Sequence, residues 1–379
     1  MRFLHTADLH IGKMLHGQSL LPDQRIMLDE IRRIAAEEAA DALLISGDVY
    51  QRNNPSAEAM TLFSTFLSEL AAAKIPVYII SGNHDSAARV SYLSQLAEQA
   101  GVHIAGAEPA QIYSYPLEDA YGRLTIHLLS YCTPLTVRQR FPEQAAEIRT
   151  YEDALRTVLG AFPPEGEGRH VLLCHQFLTG AATCDSEELA IGGLDNISAS
   201  LFDAYDYVAL GHLHGAQHVQ RETVRYAGSP LRYSFSEVTQ KKSVTIIELR
   251  EKGNTEIRTV PISQPHGMRV LTGGFAELNA MAPSDDFIRV ILTDELPPQD
   301  AARTLRGIFP NLLSFSIQNS KTREERTVTA ADRPMQTDFL TLLHDFYAYQ
   351  NGGAVMTEAQ EQLVRELTDK LDREEGAGK

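Results

Sequence analysis

Five short segments hold side chains of one chemical kind. ADLH carries Asp8 and His10, SGDVY carries Asp48, SGNHD carries Asn83, His84 and Asp85, LLCHQ carries His175, and GHLHG carries His212 and His214. Taken singly, an Asp-x-His or a Gly-Asp pair is a common turn pattern, and a lone histidine after a strand is usually a hydrogen-bonded core residue. Taken together they offer Asp8, His10, Asp48, Asn83, His84, His175, His212 and His214. Neutral imidazoles and carboxyl or amide oxygens ligate divalent transition metals. No thiolate joins them, which argues against structural zinc and against an iron–sulfur cluster. So many donors exceed the needs of one four-coordinate ion. Two ions sharing a bridging carboxylate fit better, and a pair ~3.5–4 Å apart can hold both the attacking and the leaving oxygen of an in-line displacement at phosphorus. In GHLHG, extended backbone would put His212 and His214 on one face, with Leu213 turned into the packing.

These groups need elements that bring them to one place. RFLHTAD, ALLIS, IPVYIIS, HVLLCHQ and YDYVALGH are apolar runs that read as strands, and each ends at one of the five segments. Helical stretches alternate with them. QRIMLDEIRRIAAEEAA carries Ile26, Ile31 and Ile34, and SAEAMTLFSTFLSELAAA opens on an N-cap candidate, Ser56. The alternation predicts an α/β layered core, in which ligands gather at the carboxyl ends of strands. NTEIRTVPI closes this part, and the Pro- and Gly-containing SQPHG (Ser263 to Gly267) reads as a linker. Three regions are expected: residues 1–262, a smaller unit over 268–320, and a tail over 335–379. In the small unit DFIRVILTD and LLSFSIQN are strand-like and PQDAARTLRGIF is helix-like. In the tail, Phe339, Leu342, Leu343, Phe346 and Tyr347 share a helical face. Leu363, Val364, Leu367 and Leu371 form a second stripe behind a capping box at Thr357 and Gln360.

The chain has 379 residues, 43% hydrophobic and 22% charged, enough for two or three domains with true cores. No apolar run reaches the ~20 residues of a membrane span, and the first residues do not read as a signal peptide, so a cytoplasmic location is expected. The three cysteines, Cys132, Cys174 and Cys184, form no CxxC pair and are expected to be reduced thiols. The net charge of −16 runs against a general nucleic-acid binder, whose balance is usually basic. A carboxylate-rich metal site and an acidic tail add to that sum.

The order D-x-H, GD, GNHD, H, GHxH resembles the calcineurin-like metallophosphoesterase superfamily. FLHTADLHIGKMLHG, LCHQF, YVALGHLH and YAGSPLRYSFSE followed by KKSV look like its bacterial SbcD nuclease family, counterpart of the Rad50-associated repair nuclease. The likeness covers essentially the whole chain. It implies a layered metallophosphoesterase β-sandwich flanked by helices, with a small α+β capping domain and C-terminal helices. It also implies a two-metal, Mn-dependent DNA nuclease, exonuclease and endonuclease on ends and hairpins, with two Mn(II) ions per chain. One ion would be held by Asp8, His10, Asp48 and His214, the other by Asp48, Asn83, His175 and His212, with Asp48 as the bridge. His84 would be catalytic, facing the phosphate rather than a metal. The partners implied are an SbcC ATPase, which binds the ATP and docks the tail through its coiled-coil base, and double-stranded DNA, in a homodimer within a heterotetramer. No GxxxxGKS/T phosphate loop occurs in this chain, consistent with ATP binding by the partner.

One position departs from the pattern. Relatives carry His or Asp three residues after the bridging Asp; here it is Gln51, which can orient an imidazole by hydrogen bond but adds no charge. Asp85 could orient a ligand or simply stabilise its turn. Lys13, His16 and Arg232 lie in family-like segments and could touch DNA phosphates. The alternative is another phosphoesterase of the same fold, acting on small nucleotides or phosphoproteins.

Overall fold

The computed structural model describes residues 1–184, 187, 196–319 and, beyond these, 343–344, 347, 355–357 and 359–364. Met1–Ile317 form one unit and Gln318–Lys379 another.

Two six-stranded sheets make the first unit. One has the order β14 (Thr255–Pro261), β13 (Ser243–Leu249), β1 (Arg2–Thr6), β4 (Ala42–Ser46), β5 (Val77–Ile80), β6 (Val102–Ile104). The other has the order β11 (Gln217–Val219), β12 (Arg221–Tyr226), β10 (Tyr207–Gly211), β9 (Arg169–His175), β8 (Gly122–Leu129), β7 (Ile112–Asp119). The centres of both are parallel: β1, β4, β5 and β6 in one, β8, β9, β10 and β12 in the other.

Strands buried on both faces read as continuous apolar runs, and the layers follow from which face each residue takes. In β4, Leu43 and Ile45 meet the helices while Ala42 and Leu44 meet the opposite sheet. In β10, Tyr207 and Ala209 face the opposite sheet while Val208 and Leu210 face outward to helices. Helices α1 (Leu21–Glu37) and α2 (Ala57–Ala72) share the core on the first sheet. Helices α5 (Pro134–Arg140) and α6 (Tyr151–Ala161) share that on the second. The result is a helix–sheet–sheet–helix stack, in which each fully buried Leu or Ile contributes roughly 1.5–3 kcal/mol. Two short helices, α3 (Ala87–Val90) and α4 (Ser94–Glu98), lie between β5 and β6.

Ser56 caps α2 as expected, accepting from the Ala59 amide at 3.2 Å. The apolar face of α1 is differently composed from the expected one. Met27, Leu28, Ile31, Ile34 and Ala35 are buried, whereas Ile26 is 52% exposed because it lies outside that stripe.

The small unit alternates β15 (Met268–Gly273), α7 (Phe275–Asn279), β16 (Phe287–Leu292), α8 (Ala301–Ile308) and β17 (Leu312–Ile317), with all three strands parallel. It has its own core around Leu278, Ile288, Val290, Leu305 and Phe309. In the linker, His266 stacks on Phe287 at 4.7 Å and its Nδ1 lies 2.9 Å from the Asp23 carboxylate of α1. The tail helices expected over 335–379 fall largely outside the described residues. The Thr357–Gln360 capping box is among them: the Thr357 amide donates to Gln360 Oε1 at 2.9 Å and the Gln360 amide to Thr357 Oγ1 at 3.4 Å. Cys132, Cys174 and Cys184 form no disulfide, and among the described residues no helix is long and apolar enough to cross a membrane.

Candidate metal centre

The parallel strands β1, β4, β5, β9 and β10 deliver all five segments to one edge of the stack. Asp8 follows β1, Asp48 follows β4, Asn83 follows β5, His175 ends β9, and His212 follows β10. The turns that expose them are tight. A Cβ at Gly211 would overlap the Ser46 carbonyl oxygen and one at Gly82 would overlap Asp48, so both segments need glycine there. Four donors themselves sit at positive φ: Asp8 at 54°, His10 at 43°, Asp48 at 49° and His212 at 107°. Such strain persists where the surrounding structure overdetermines it, and functional sites are where it collects.

His212 alters the expected picture of GHLHG. The strand stops at Gly211, and the backbone of His212 turns away from the extended form, so the shared-face geometry of a strand does not hold. His212 Nδ1 goes to Asn83 Oδ1 at 3.1 Å, whereas His214 Nε2 lies 3.1 Å from His10 Nε2. Leu213 between them is fully buried in the helix-side core.

The donors form overlapping groups. Asp8, His10 and His214 offer atoms within 4.8 Å of one another, as do Asp8, Asp48 and His175, and His10, Asp48 and His84; Cys184, His214 and Glu237 make a further such group beside them. Asn83 Oδ1 lies 3.0 Å from His175 Nε2, and Asp48 Oδ2 lies 3.5 Å from the same nitrogen and 3.6 Å from His10 Nε2. Asp48 therefore stands between the groups.

The tautomers test whether cations fit. His175 Nδ1 is 2.8 Å from the Ser46 carbonyl, so it donates there and a neutral ring turns an Nε2 lone pair toward two oxygen acceptors. His214 Nδ1 lies 3.2 Å from Glu237 Oε1, which likewise leaves its Nε2 as a lone pair, aimed at His10 Nε2. His10 Nδ1 is buried without a partner. Converging lone pairs are satisfied by a cation, so the residues fit divalent ions.

The electrostatics divide the donors. Burial pushes the Asp8 carboxyl up to about 7, against the pull of His175 and His214. Burial acts the same way on Asp48, but the charge of His175 and His10 holds it well below the usual carboxylate range. Burial, with His175 adding, lowers His212 to about 3, and burial takes His10 well below its ordinary value. Burial opposes charge on His175, yet the Asp48 carboxylate holds it up to about 9. His212 and His10 stay neutral at neutral pH and are ready to ligate, whereas His175 must release a proton as a cation binds.

His84 occupies the rim. Its side chain is 15% exposed, against 3% for Asp48, and its Nε2 lies 3.9 Å from Asp48 Oδ2. Its Nδ1 is held by the main-chain carbonyl of Gln51 at 3.2 Å. The Gln51 side chain takes no part, and its Oε1 is buried without a partner. Asp85 accepts from the amides of Val49, Tyr50 and Gly82 at 2.9–3.0 Å, tying the Asp48 loop to the Asn83 loop. Burial and the nearby Asp48 charge push the Asp85 carboxyl up to about 6.

Two functional residues escaped sequence reasoning. Glu237 orients His214, and Lys242 sits beneath it, donating to Glu237 Oε2 at 2.5 Å, Gln240 Oε1 at 2.7 Å, Ser229 Oγ at 2.8 Å and the His214 carbonyl at 2.9 Å. A glutamate and a lysine in a polar stretch read as solvated surface, and only the neighbouring YSF triplet hints at burial. Arg232 donates to the Gln240 carbonyl at 2.8 Å, while Lys13 and His16 belong to the hairpin of β2 (Met14–Leu15) and β3 (Gln18–Ser19) and the turn before it.

Residues 1–216 match the model of the calcineurin-like phosphoesterases. The chain belongs to that family. It is thus a metal-dependent phosphoesterase by family, with a His/Asp cluster suited to two ions at its strand ends. Residues 264–351 match a second model, described as the type 5 capsule protein repressor C-terminal domain. The SbcD component of the SbcCD nuclease from Staphylococcus epidermidis is 28% identical over 382 residues, covering 99% of this chain and 100% of that one. Among solved structures, a dimetal phosphatase from Danio rerio is 13% identical, with a TM-score of 0.43, covering 70% of this chain and 99% of that chain. The calcineurin-like phosphoesterase YfkN from Bacillus subtilis is 13% identical, with a TM-score of 0.38, covering 69% of this chain and 90% of that chain.

Proposed function

We propose that this chain is a Mn(II)-dependent DNA nuclease, the catalytic subunit of a cytoplasmic complex with an SbcC-type ATPase that processes DNA ends and hairpins. The observation that carries the reading is the buried His/Asp donor cluster at the strand ends, in a chain whose full-length relative is a nuclease subunit. In this reading Asp8, His10, Asp48 and His214 hold one ion, and Asp48, Asn83, His175 and His212 hold the other. Bound divalent ions lower the pKa of water toward neutrality and offset charge on a phosphodiester.

The chain's own groups do the rest. Glu237 and the Ser46 carbonyl fix the tautomers of His214 and His175. Asp85 locks the two loops that set the Asp48–Asn83 spacing. His84, its Nδ1–H held by the Gln51 carbonyl, when protonated turns Nε2–H toward the phosphate. There it steadies charge on the phosphoryl oxygens or donates a proton to the leaving 3′ oxygen. Residues 1–262 form the nuclease domain, 268–320 a capping domain beside the site, and 335–379 the segment that binds the partner's coiled-coil base. Assembly is a homodimer within a heterotetramer; the exposed Tyr92, Leu93 and Leu96 supply an apolar patch suited to a second copy.

The test is cleavage of a linear duplex by the purified chain with its candidate ATPase, Mn(II) and ATP, beside cyclic nucleotides and phosphopeptides. His84→Ala should keep both ions and lose cleavage by about 100-fold or more, an order typical of general acid loss. Wild-type turnover of small phosphoesters with no DNA cleavage would instead favour the alternative phosphoesterase.

A further inference from the structure

A cleft of about 410 Å³ opens beside the metal centre, between the nuclease sheets and the small parallel unit. Lys13 and His16 line it from the β2–β3 hairpin, Ser234 and Ser236 from the loop before Glu237, and Arg289 from β16 of the small unit. Its inner wall is Tyr233, whose ring packs against the rings of His10 at 5.4 Å and His214 at 5.8 Å and whose hydroxyl donates to the Leu9 carbonyl. The cleft and the centre are therefore separated by one aromatic ring.

We propose that this cleft holds a phosphate of the DNA strand next to the one at the metal centre, with Arg289 as its principal ligand. The inference rests on the nuclease reading and names a contact within it. Three observations carry it. Arg289 makes no hydrogen bond or ion pair with any described residue, and its Nε is buried without a partner, so its guanidinium fork is uncommitted. Such a fork matches phosphate geometry, and Lys13 and His16 line the same cleft, beside Ser234 and Ser236, whose hydroxyls bond each other at 2.9 Å. The one carboxylate in the lining, Glu187, is turned to other work, accepting from the His214 amide at 2.6 Å. In a chain of net charge −16, so local a basic cleft gives a polyanion a specific foothold rather than a general field. Because Arg289 stands on β16 and Lys13 and His16 on the hairpin, a strand in the cleft bridges the two-sheet stack and the three-stranded parallel sheet, both within Met1–Ile317. The small unit would then read where the strand lies relative to the ions.

The test uses the full chain with its candidate ATPase, ATP and Mn(II), a short blunt duplex, and bis(p-nitrophenyl) phosphate, which is too small to fill cleft and centre together. Arg289→Ala should raise KM for the duplex about tenfold, equivalent to ~1.4 kcal/mol. It should also reduce the slope of log affinity against log salt by about one phosphate contact, and the loss on DNA should exceed that on the small diester. Arg289→Lys should recover the salt slope and part of the KM. An unchanged KM and slope in Arg289→Ala would overturn the cleft assignment while leaving the nuclease reading standing. Equal losses on both substrates would make Arg289 a structural residue and also overturn it. A wild-type chain that hydrolyses the diester but neither binds nor cuts the duplex would overturn the nuclease reading itself, and the cleft assignment with it.

Discussion

Replacing Lys242 by Met removes the cation under Glu237. The side chains of this pair are 2% and 0% exposed, so solvent cannot replace what is lost. Lys242 donates to four oxygens at 2.5–2.9 Å, and Glu237 would be left as a buried carboxylate with His214 as its nearest support. Breaking one half of a buried pair costs about 3–5 kcal/mol. With about 2.1 cal/mol/K of unfolding entropy per residue, a chain of 379 residues shifts by roughly 1.3 °C per kcal/mol, so Tm should fall by about 4–6 °C. A second effect acts on the metal. His214 takes its orientation from Glu237, and loss of such support typically costs about 10–100-fold in metal affinity. Lys242→Met should therefore weaken one of two Mn(II) sites by about that factor, read by calorimetric titration. Glu237→Leu with Lys242→Met separates the two effects. An apolar pair of similar volume regains much of the folding stability, but His214 has lost its orienting carboxylate, so metal affinity stays low. A Tm within about 1 °C of wild type for Lys242→Met, well short of the loss expected for a broken buried pair, or two wild-type ions in the double variant, would refute the reasoning.

Gln51→Ala should retain more than half of the wild-type cleavage rate, because His84 is held by the main-chain carbonyl of residue 51 and not by its side chain; steady-state kinetics on a linear duplex checks this. His5 is buried between the sheets, its ring nitrogens 3.0 Å from the Tyr207 hydroxyl and 3.1 Å from Ser46 Oγ, and burial, with Arg225 adding, lowers it to about 3. The unfolded chain takes up that proton near pH 6.5 and the folded chain does not until about pH 3. Its share of stability is therefore full above about pH 6.5 and is lost as pH falls through this window, at up to about 1.4 kcal/mol per unit. Denaturant titrations of His5→Gln from about pH 7 to 4 should show a shallower slope than wild type.

Much of the site was legible because it obeys a local rule. An apolar run, then glycine, then a polar donor marks a strand leaving the core at a binding edge, and Asp48, Asn83 and His212 all follow it. The layering was legible too, since β4 and β10 are apolar on both faces. What could not be read depends on distant partners. The placement of β13 antiparallel beside β1 joins residues more than two hundred positions apart. Glu237 and Lys242 are polar residues buried only because each neutralises the other beneath His214. The support of His84 by a carbonyl has no residue signature, since every position carries one. The turn at His212 defeated a strand-based reading because φ of 107° at a non-glycine residue is enforced by packing, not by type. Ile26 shows the same limit on a helix, where a single residue of phase decides core or solvent.

The proposal that Asp48 bridges two ions, with His212 and His214 each serving a different one, can be tested by electron paramagnetic resonance of the Mn(II)-loaded chain. A spin-coupled pair is expected in the wild type. In His212→Ala and His214→Ala a single uncoupled ion should remain, at complementary positions, with loss of duplex cleavage. One uncoupled ion in the wild type, or a coupled pair that survives either substitution, would contradict the bridged centre.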